Sequence, residues 1–436
     1  MRNRLPAILV AAFGVTALLV FVFSDLIVAA GRYIPQQNML LDYVLGGIWA
    51  MILGLSIVLW PAPAKDKKYL LWGWLAKCVM TLGFMLLYEY HYELDSFGYW
   101  WGSTHPWWDW DGLRLGSGSI NIRQLTYLHA QVFPNSFHWL KVSFSMVGYL
   151  GIYLCYRAAV RLLGRDDIRI FLALVLYPSI LFWSSTLGKD PIVLFGIAVY
   201  LYGVSSWYAT GKAPYLLLSL LGIWETMFFR IWMGPILLAP MGVFLFARIR
   251  GNISRVFLIA IVAVAFFFAA GRFSTQFNIE SSQDLITSID ANAHNSGWQG
   301  GSGEEIQAGF SSPAKVIAFL PYGAFTALFR PLPGEVLNPF GILAGLENLV
   351  LLWLLARAIR RSRVRELFDP RLMWTISLIL TWSSVYGFIS VQNLGAAVRF
   401  RLQILPVLLL VLLYLSRNRS TSEPKVPSVS QVPRLV

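Results

Sequence analysis

Charge is what this chain has least of. Only 13% of its 436 residues are Asp, Glu, Lys or Arg, about half the ~25% usual in a soluble domain. A chain so poor in charge cannot keep its surface in water, and 57% of it is hydrophobic. Cysteine is nearly absent. Cys78 and Cys155 both fall in apolar stretches and read as small buried hydrophobes that say nothing about redox compartment. The five histidines show no metal-ligand spacing, so we expect no metal. No P-loop, GxGxxG turn or His/Cys cluster is present, and no cofactor is expected. Those gaps argue against a nucleotide-driven pump and a cytoplasmic nucleotide-sugar enzyme.

What is present is apolar sequence in long runs. A helix needs ~20 apolar residues to cross a bilayer. Runs of that order lie near 6–29, 43–61, 69–88, 140–157, 168–186, 191–209, 213–229, 233–248, 255–271, 340–357, 372–390 and 402–416. The expected fold is therefore all-α: a polytopic integral membrane protein of about 12 transmembrane helices, with residues 1–416 as one transmembrane domain. The first run passes directly into the next and reads as an uncleaved span. A further segment near 315–329 is short, carries Pro321 and Gly323, and reads as re-entrant or interfacial. Two large outer loops are expected at 89–139 and 272–339, the second opening with a polar stretch through Gly303 that reads as mobile or as a lid. Residues 417–436 are Ser-, Pro- and Arg-rich and read as a disordered cytoplasmic tail.

Basic residues outnumber acidic ones by 13, but their placement explains the excess. Most of the 35 fall in alternate, short connections, such as Lys65 to Lys68, Arg157 to Arg169, and the six arginines from Arg357 to Arg371. That is the positive-inside pattern, so both termini are expected in the cytoplasm and no nucleic-acid partner is needed.

The opposite face is where chemistry is expected. Its first loop runs Tyr88-Glu89-Tyr90-His91-Tyr92-Glu93-Leu94-Asp95-Ser96-Phe97-Gly98-Tyr99-Trp100-Trp101 and continues to Trp107-Trp108-Asp109-Trp110-Asp111. Aromatic faces such as Tyr99 and Trp100 can stack on sugar rings, and a carboxylate such as Asp95 can take a hydroxyl proton. The same aromatics also fit an interfacial belt. At the next outer turn stand Lys189 and Asp190-Pro191. Asp190 fits a helix cap, and Lys189 fits either an anion ligand or a snorkelling side chain. Few other cations lie outside: Arg330 beside Glu335, then Arg399 and Arg401. Guanidinium groups at the membrane plane can hold a diphosphate bidentately, or else pair with Glu335 or Glu347. Glu225 and Arg230 share one span and are expected to face an interior cavity.

Three of these stretches carry a resemblance. They are the acidic-aromatic loop with Asp95 and Tyr99, Tyr177-Pro178-Ser179 through Trp183-Ser184-Ser185 to Lys189-Asp190, and Phe329-Arg330-Pro331-Leu332-Pro333-Gly334-Glu335 paired with Val398-Arg399-Phe400-Arg401-Leu402-Gln403-Ile404-Leu405-Pro406. The chain resembles the polytopic bacterial proteins of envelope-polysaccharide synthesis, related to C-type glycosyltransferases with polyprenyl-linked donors. It departs from that pattern at Gly334, where Trp is expected. The resemblance implies sugar transfer or repeat-unit polymerisation on the outer face of the inner membrane; the enzyme expected is an inverting one, and the scattered outward carboxylates favour no metal. Asp95 would be the base. Lys189, Arg330, Arg399 and Arg401 would hold the diphosphate of an undecaprenyl-linked glycan, with Glu335, Tyr99, Trp100 and Arg230 as further substrate contacts in one outer pocket. Implied partners are that glycan, membrane lipid and other polysaccharide-assembly proteins. A flippase of lipid-linked oligosaccharide and a non-catalytic scaffold remain the alternatives.

Overall fold

Proline and short polar side chains punctuate this chain, and helices begin where they stand. The computed structural model describes residues 38–91, 95–105, 109–248, 310–391 and 393–417, with isolated positions near the amino terminus and between 256 and 287. The described residues form helices and no strands. In chain order these are α1 (Met39–Ser56), α2 (Ala64–Val79), a π-helical turn (Met80–Phe84), α3 (Met85–His91), α4 (Asp95–Thr104) and α5 (Gly118–Val132). Next come α6 (Phe137–Leu163), α7 (Ile168–Val175), α8 (Pro178–Trp183), α9 (Lys189–Thr210), α10 (Pro214–Phe229) and α11 (Met233–Arg248). The last are α12 (Pro313–Phe329), α13 (Pro339–Arg361), α14 (Val364–Leu367), α15 (Pro370–Ser390), α16 (Leu394–Arg401) and α17 (Leu405–Leu415).

The starts are chemically plain. Asp167, Ser312, Asn338, Asp369 and Asn393 each accept a hydrogen bond from a backbone N–H in the first turn of α7, α12, α13, α15 and α16, satisfying donors that the helix itself cannot. Proline stands in the first turn of α8, α10, α12, α13, α15 and α17, where its missing N–H costs nothing.

Among the described residues, six helices are long and apolar enough to cross a membrane: Met39–Leu59, Ala64–Glu89, Phe137–Leu163, Lys189–Thr210, Pro339–Arg361 and Pro370–Ser390. A seventh arises if α16 and α17, bent by 72°, act as one broken span. These helices carry large apolar side chains on their outsides. Along α13, Leu346, Val350 and Trp353 are each about half exposed. An apolar face of that length is a liability in water and ordinary against lipid chains. The chain is a helical membrane protein.

Twelve spans are not recovered among the described residues. The runs at 6–29 and 255–271 lie almost entirely outside them. The run at 168–186 is not one helix, since it breaks between α7 and α8 and unwinds again over 184–188. Pro178 enforces the first break, because its ring disfavours helical backbone at Tyr177. Helix α10 has 16 residues, about 24 Å at 1.5 Å per residue against the ~30 Å of a hydrocarbon core. The loop at 89–139 also differs from expectation, because it contains α4 and α5. Its stretch 109–117 is held to α5, where Asn121 exchanges hydrogen bonds of 2.8 and 2.7 Å with the Arg114 backbone. The segment near 315–329 lies within α12, one 17-residue helix. The lid and tail expectations fall outside the described residues.

The chain divides into two compact units, Met1–Val160 with Arg165–Val199, and Arg161–Gly164 with Tyr200–Val436. In the first, helices are tied by side chains reaching backbone. Trp74 donates to the Ala50 carbonyl at 2.8 Å, and Tyr149 donates to that of Leu70. In the second, α12 crosses α15 at a pair of glycines. A Cβ on Gly387 would lie 2.6 Å from the Gly323 carbonyl carbon, so no larger residue permits this approach.

Candidate functional site

In the second unit, four of the predicted site residues come together at the ends of α10, α12 and α16. Helix α12 stops at Arg330, whose extended backbone turns the chain into Pro331-Leu332-Pro333. Its guanidinium is 92% shielded and forked onto Glu335, with Nε at 2.8 Å from Oε1. Its remaining arm donates to the Tyr322 hydroxyl at 2.8 Å. Glu335 uses its other oxygen to accept the Leu332 N–H at 2.6 Å. The turn is thereby closed by the carboxylate that orients the arginine.

Arg401, in the last turn of α16, lies beneath this turn and is 3% exposed. It donates to the carbonyls of Ala327 at 2.9 Å and of Arg330, and to the Asn348 side chain. Asn348 in turn donates to the Pro331 carbonyl at 2.7 Å. Three backbone carbonyls freed by the end of α12 and by the prolines are thus satisfied by two buried side chains. Pro333 passes so close to α13 that a Cβ on Gly345 would lie 2.9 Å from its nitrogen.

Arg230, ending α10, stacks on Phe400 with its guanidinium carbon 4.3 Å from the ring centroid. It also donates to the Tyr386 hydroxyl at 3.2 Å. Phe400 precedes Arg401, so Arg230, Phe400, Arg401 and Arg330 form a continuous chain of contacts. Arg399 is half-buried in the same last turn. Three of the predicted cations and Glu335 therefore share one place, although most of the Arg401 donors go to the protein itself.

The first unit holds Asp95, Tyr99, Trp100 and Lys189. Asp95 begins α4 and is exposed, and the buried Tyr99 donates to it at 3.4 Å, one helical turn on. Trp100 is half-buried on the neighbouring face, packed against Phe97 and Phe137. Lys189 and Asp190 open α9. Lys189 is half-buried and Asp190 is 1% exposed. Asp190 stands inside the first turn rather than ahead of it, so its favourable effect is on the helix dipole. Glu225 and Arg230 do not pair. Both Glu225 carboxyl oxygens are buried without a hydrogen-bond partner among the described residues.

Reading charge loop by loop passes over two lysines inside spans. Lys141 is fully buried and pairs with Glu89 at 2.5 Å, while Ser96 at the start of α4 donates to the same carboxylate at 3.4 Å. Lys77 is also fully buried. Both were visible as ionisable residues within apolar runs, which seldom occur without a partner. No group of three or more His, Cys, Asp or Glu side chains suited to a metal occurs among the described residues. Comparison of the chain with protein-family models, with curated proteins and with solved structures found no match.

Proposed function

We propose that this protein is an inverting, metal-independent glycosyltransferase of the envelope-polysaccharide type, joining undecaprenyl-diphosphate-linked sugar units on the outer face of the bacterial inner membrane. The observation that carries the reading is the contact chain from Arg230 through Phe400 and Arg401 to Arg330. It gathers cations at helix ends in an otherwise apolar chain. A diphosphate leaving group develops charge as the glycosidic bond breaks, and oriented guanidinium groups stabilise that charge. Arg330 is the residue best placed for this work: Glu335 and Tyr322 fix its plane while part of it reaches the surface. Arg401 serves by holding the Arg330 backbone, and Arg230 and Arg399 add positive potential. Asp95 takes the acceptor hydroxyl proton, with Tyr99 orienting it, and Lys189 adds a further cation. In this reading the chain has about twelve spans, cytoplasmic termini and a periplasmic working face.

The test is polymer formation in cells carrying Asp95→Asn or Arg330→Gln. Both should abolish polymer while the protein stays at normal level, with single lipid-linked repeat units accumulating on the outside. Unchanged polymer in both variants ends the reading. A flippase is the second reading, favoured by the ionisable groups buried in apolar helices, namely Lys77, Glu89 with Lys141, and Glu225. It predicts that the repeat units accumulate on the inside.

A further inference from the structure

The chain unwinds between α8 and α9, and a lysine from another helix fills the break. Lys77 projects from the middle of the Ala64–Glu89 span and is completely buried. Its Nζ donates to the Ser184 hydroxyl at 2.5 Å, the Ser185 hydroxyl at 2.9 Å and the Leu181 carbonyl at 3.3 Å. An ammonium has three N–H donors, and all three are used. The two hydroxyls send their own protons onward, Ser184 to the Ile180 carbonyl at 2.5 Å and Ser185 to that of Leu181 at 2.7 Å. Their lone pairs therefore face the nitrogen. Ser184 and Ser185 are each 0% exposed. Among the described residues no carboxylate pairs with Lys77.

A buried charge needs either a counter-ion or a shell of oriented dipoles. Here it has the second: neutral oxygens supplied by the last turn of α8 and the two serines that follow it, ahead of the span that opens at Lys189. Discontinuous helices supply cation ligands in the same way. Helix α6 makes room, since Gly148 packs directly on the Ser184 carbonyl where any Cβ would collide.

We propose that Ser184, Ser185 and the Leu181 carbonyl form a monovalent-cation site of potassium or ammonium size, which the chain fills with the ammonium of its own Lys77. The tethered cation joins α2 to the segment that leads into Lys189. Lys77 is thus a positioning residue for that turn, a role that rests on the transferase reading, whereas the cation site itself does not.

The test uses full-length Lys77→Ala and Lys77→Ser, purified in detergent. Thermal unfolding is followed in equal concentrations of N-methylglucamine, lithium, sodium, potassium and ammonium chlorides, which holds ionic strength and anion constant. Wild type should be indifferent to the cation. Both variants should unfold early in N-methylglucamine and recover by several degrees, saturably, in potassium and ammonium. Adding Ser185→Ala should remove the recovery. The proposal is overturned if no cation exceeds N-methylglucamine in either variant, or if wild type responds as the variants do. Recovery of neither variant as folded protein in any of the salts overturns it too, because a fitting ion should replace the ammonium. If potassium restores stability while Lys189→Gln leaves polymer formation intact, the cation site stands and the transferase role of that turn fails.

Discussion

Arg401 donates from its guanidinium to the backbone carbonyl of Arg330, so two arginines that look alike in sequence do different work. One holds the turn, and the other is held by it. Removing the buried partner should cost ~1–3 kcal/mol for each group left unpaired, here two carbonyls and an amide oxygen. We therefore expect Arg401→Ala to lower the unfolding midpoint markedly and to reduce the yield of folded protein. Arg401→Lys should rescue little, because an ammonium cannot reproduce the planar fork. Arg330→Lys should keep the fold and lose activity. Equal stability losses in Arg401→Ala and Arg330→Lys would remove the distinction.

The Glu89–Lys141 pair joins the C-terminal end of one span to the start of the next and reaches Ser96 beside Asp95. Breaking it from either side leaves an uncompensated buried charge, at a cost of ~3–5 kcal/mol, whereas replacing both partners by apolar residues is often near neutral. Glu89→Leu and Lys141→Met should each destabilise strongly, and the double variant should recover most of the loss. A denaturation series on the four proteins checks this. Additive losses would mean that the pair does not couple.

Much of this architecture was legible in the sequence. Span length and hydropathy locate the six long helices among the described residues. Arg330, Glu335 and Arg401 stood out in the sequence as charges in an apolar chain, but the division of labour among them did not. That division depends on which carbonyls lose their partners where α12 ends. Helices α4 and α5 were hidden because their aromatic and polar residues read as loop, although Asn121 and Gln124 hold the stretch before α5 in place. The role of Lys77 was hidden for a different reason, although the residue itself stands out in an apolar run. Its partners are two serine hydroxyls and a carbonyl far along the chain, and neutral ligands leave no charge pattern to read.

The crossing of α12 and α15 should respond unequally to a single methyl group. A Cβ on Gly387 would meet the Gly323 backbone at 2.6 to 2.9 Å, whereas one on Gly323 would first meet the Phe319 ring at 2.8 Å and the Gly387 Cα only at 3.3 Å. A ring can rotate away and a backbone cannot. Overpacking typically costs ~1–3 kcal/mol, and Gly387→Ala should fall at or above the top of that range, with Gly323→Ala clearly milder. Thermal melts of the two variants decide the order, and the reverse order would contradict the packing.

Two groups outside the spans contribute to how stability should vary with pH, in separate windows. His129 on α5 accepts or donates at 2.9 Å to Ser143 and packs on Phe133, and burial pulls its imidazole down from 6.5 to about 4. Between those values the unfolded chain binds a proton that the folded one does not. Its contribution is therefore intact above pH 6.5 and declines as pH falls toward 4. Asp166 is held below its ordinary 3.8 chiefly by its hydrogen bond with Lys65, at 2.6 Å, and next by that from Tyr156. Its contribution is present above about pH 4 and is lost only as pH drops further, through the depressed value. The unfolding midpoint should fall in two stages on acidification. His129→Gln should flatten the stage between pH 6.5 and 4 and leave the lower one, while Asp166→Asn should leave the upper stage and reduce the lower one, which Asp167 and Asp369 share. If His129→Gln leaves the upper stage unchanged, the loss there belongs to another group.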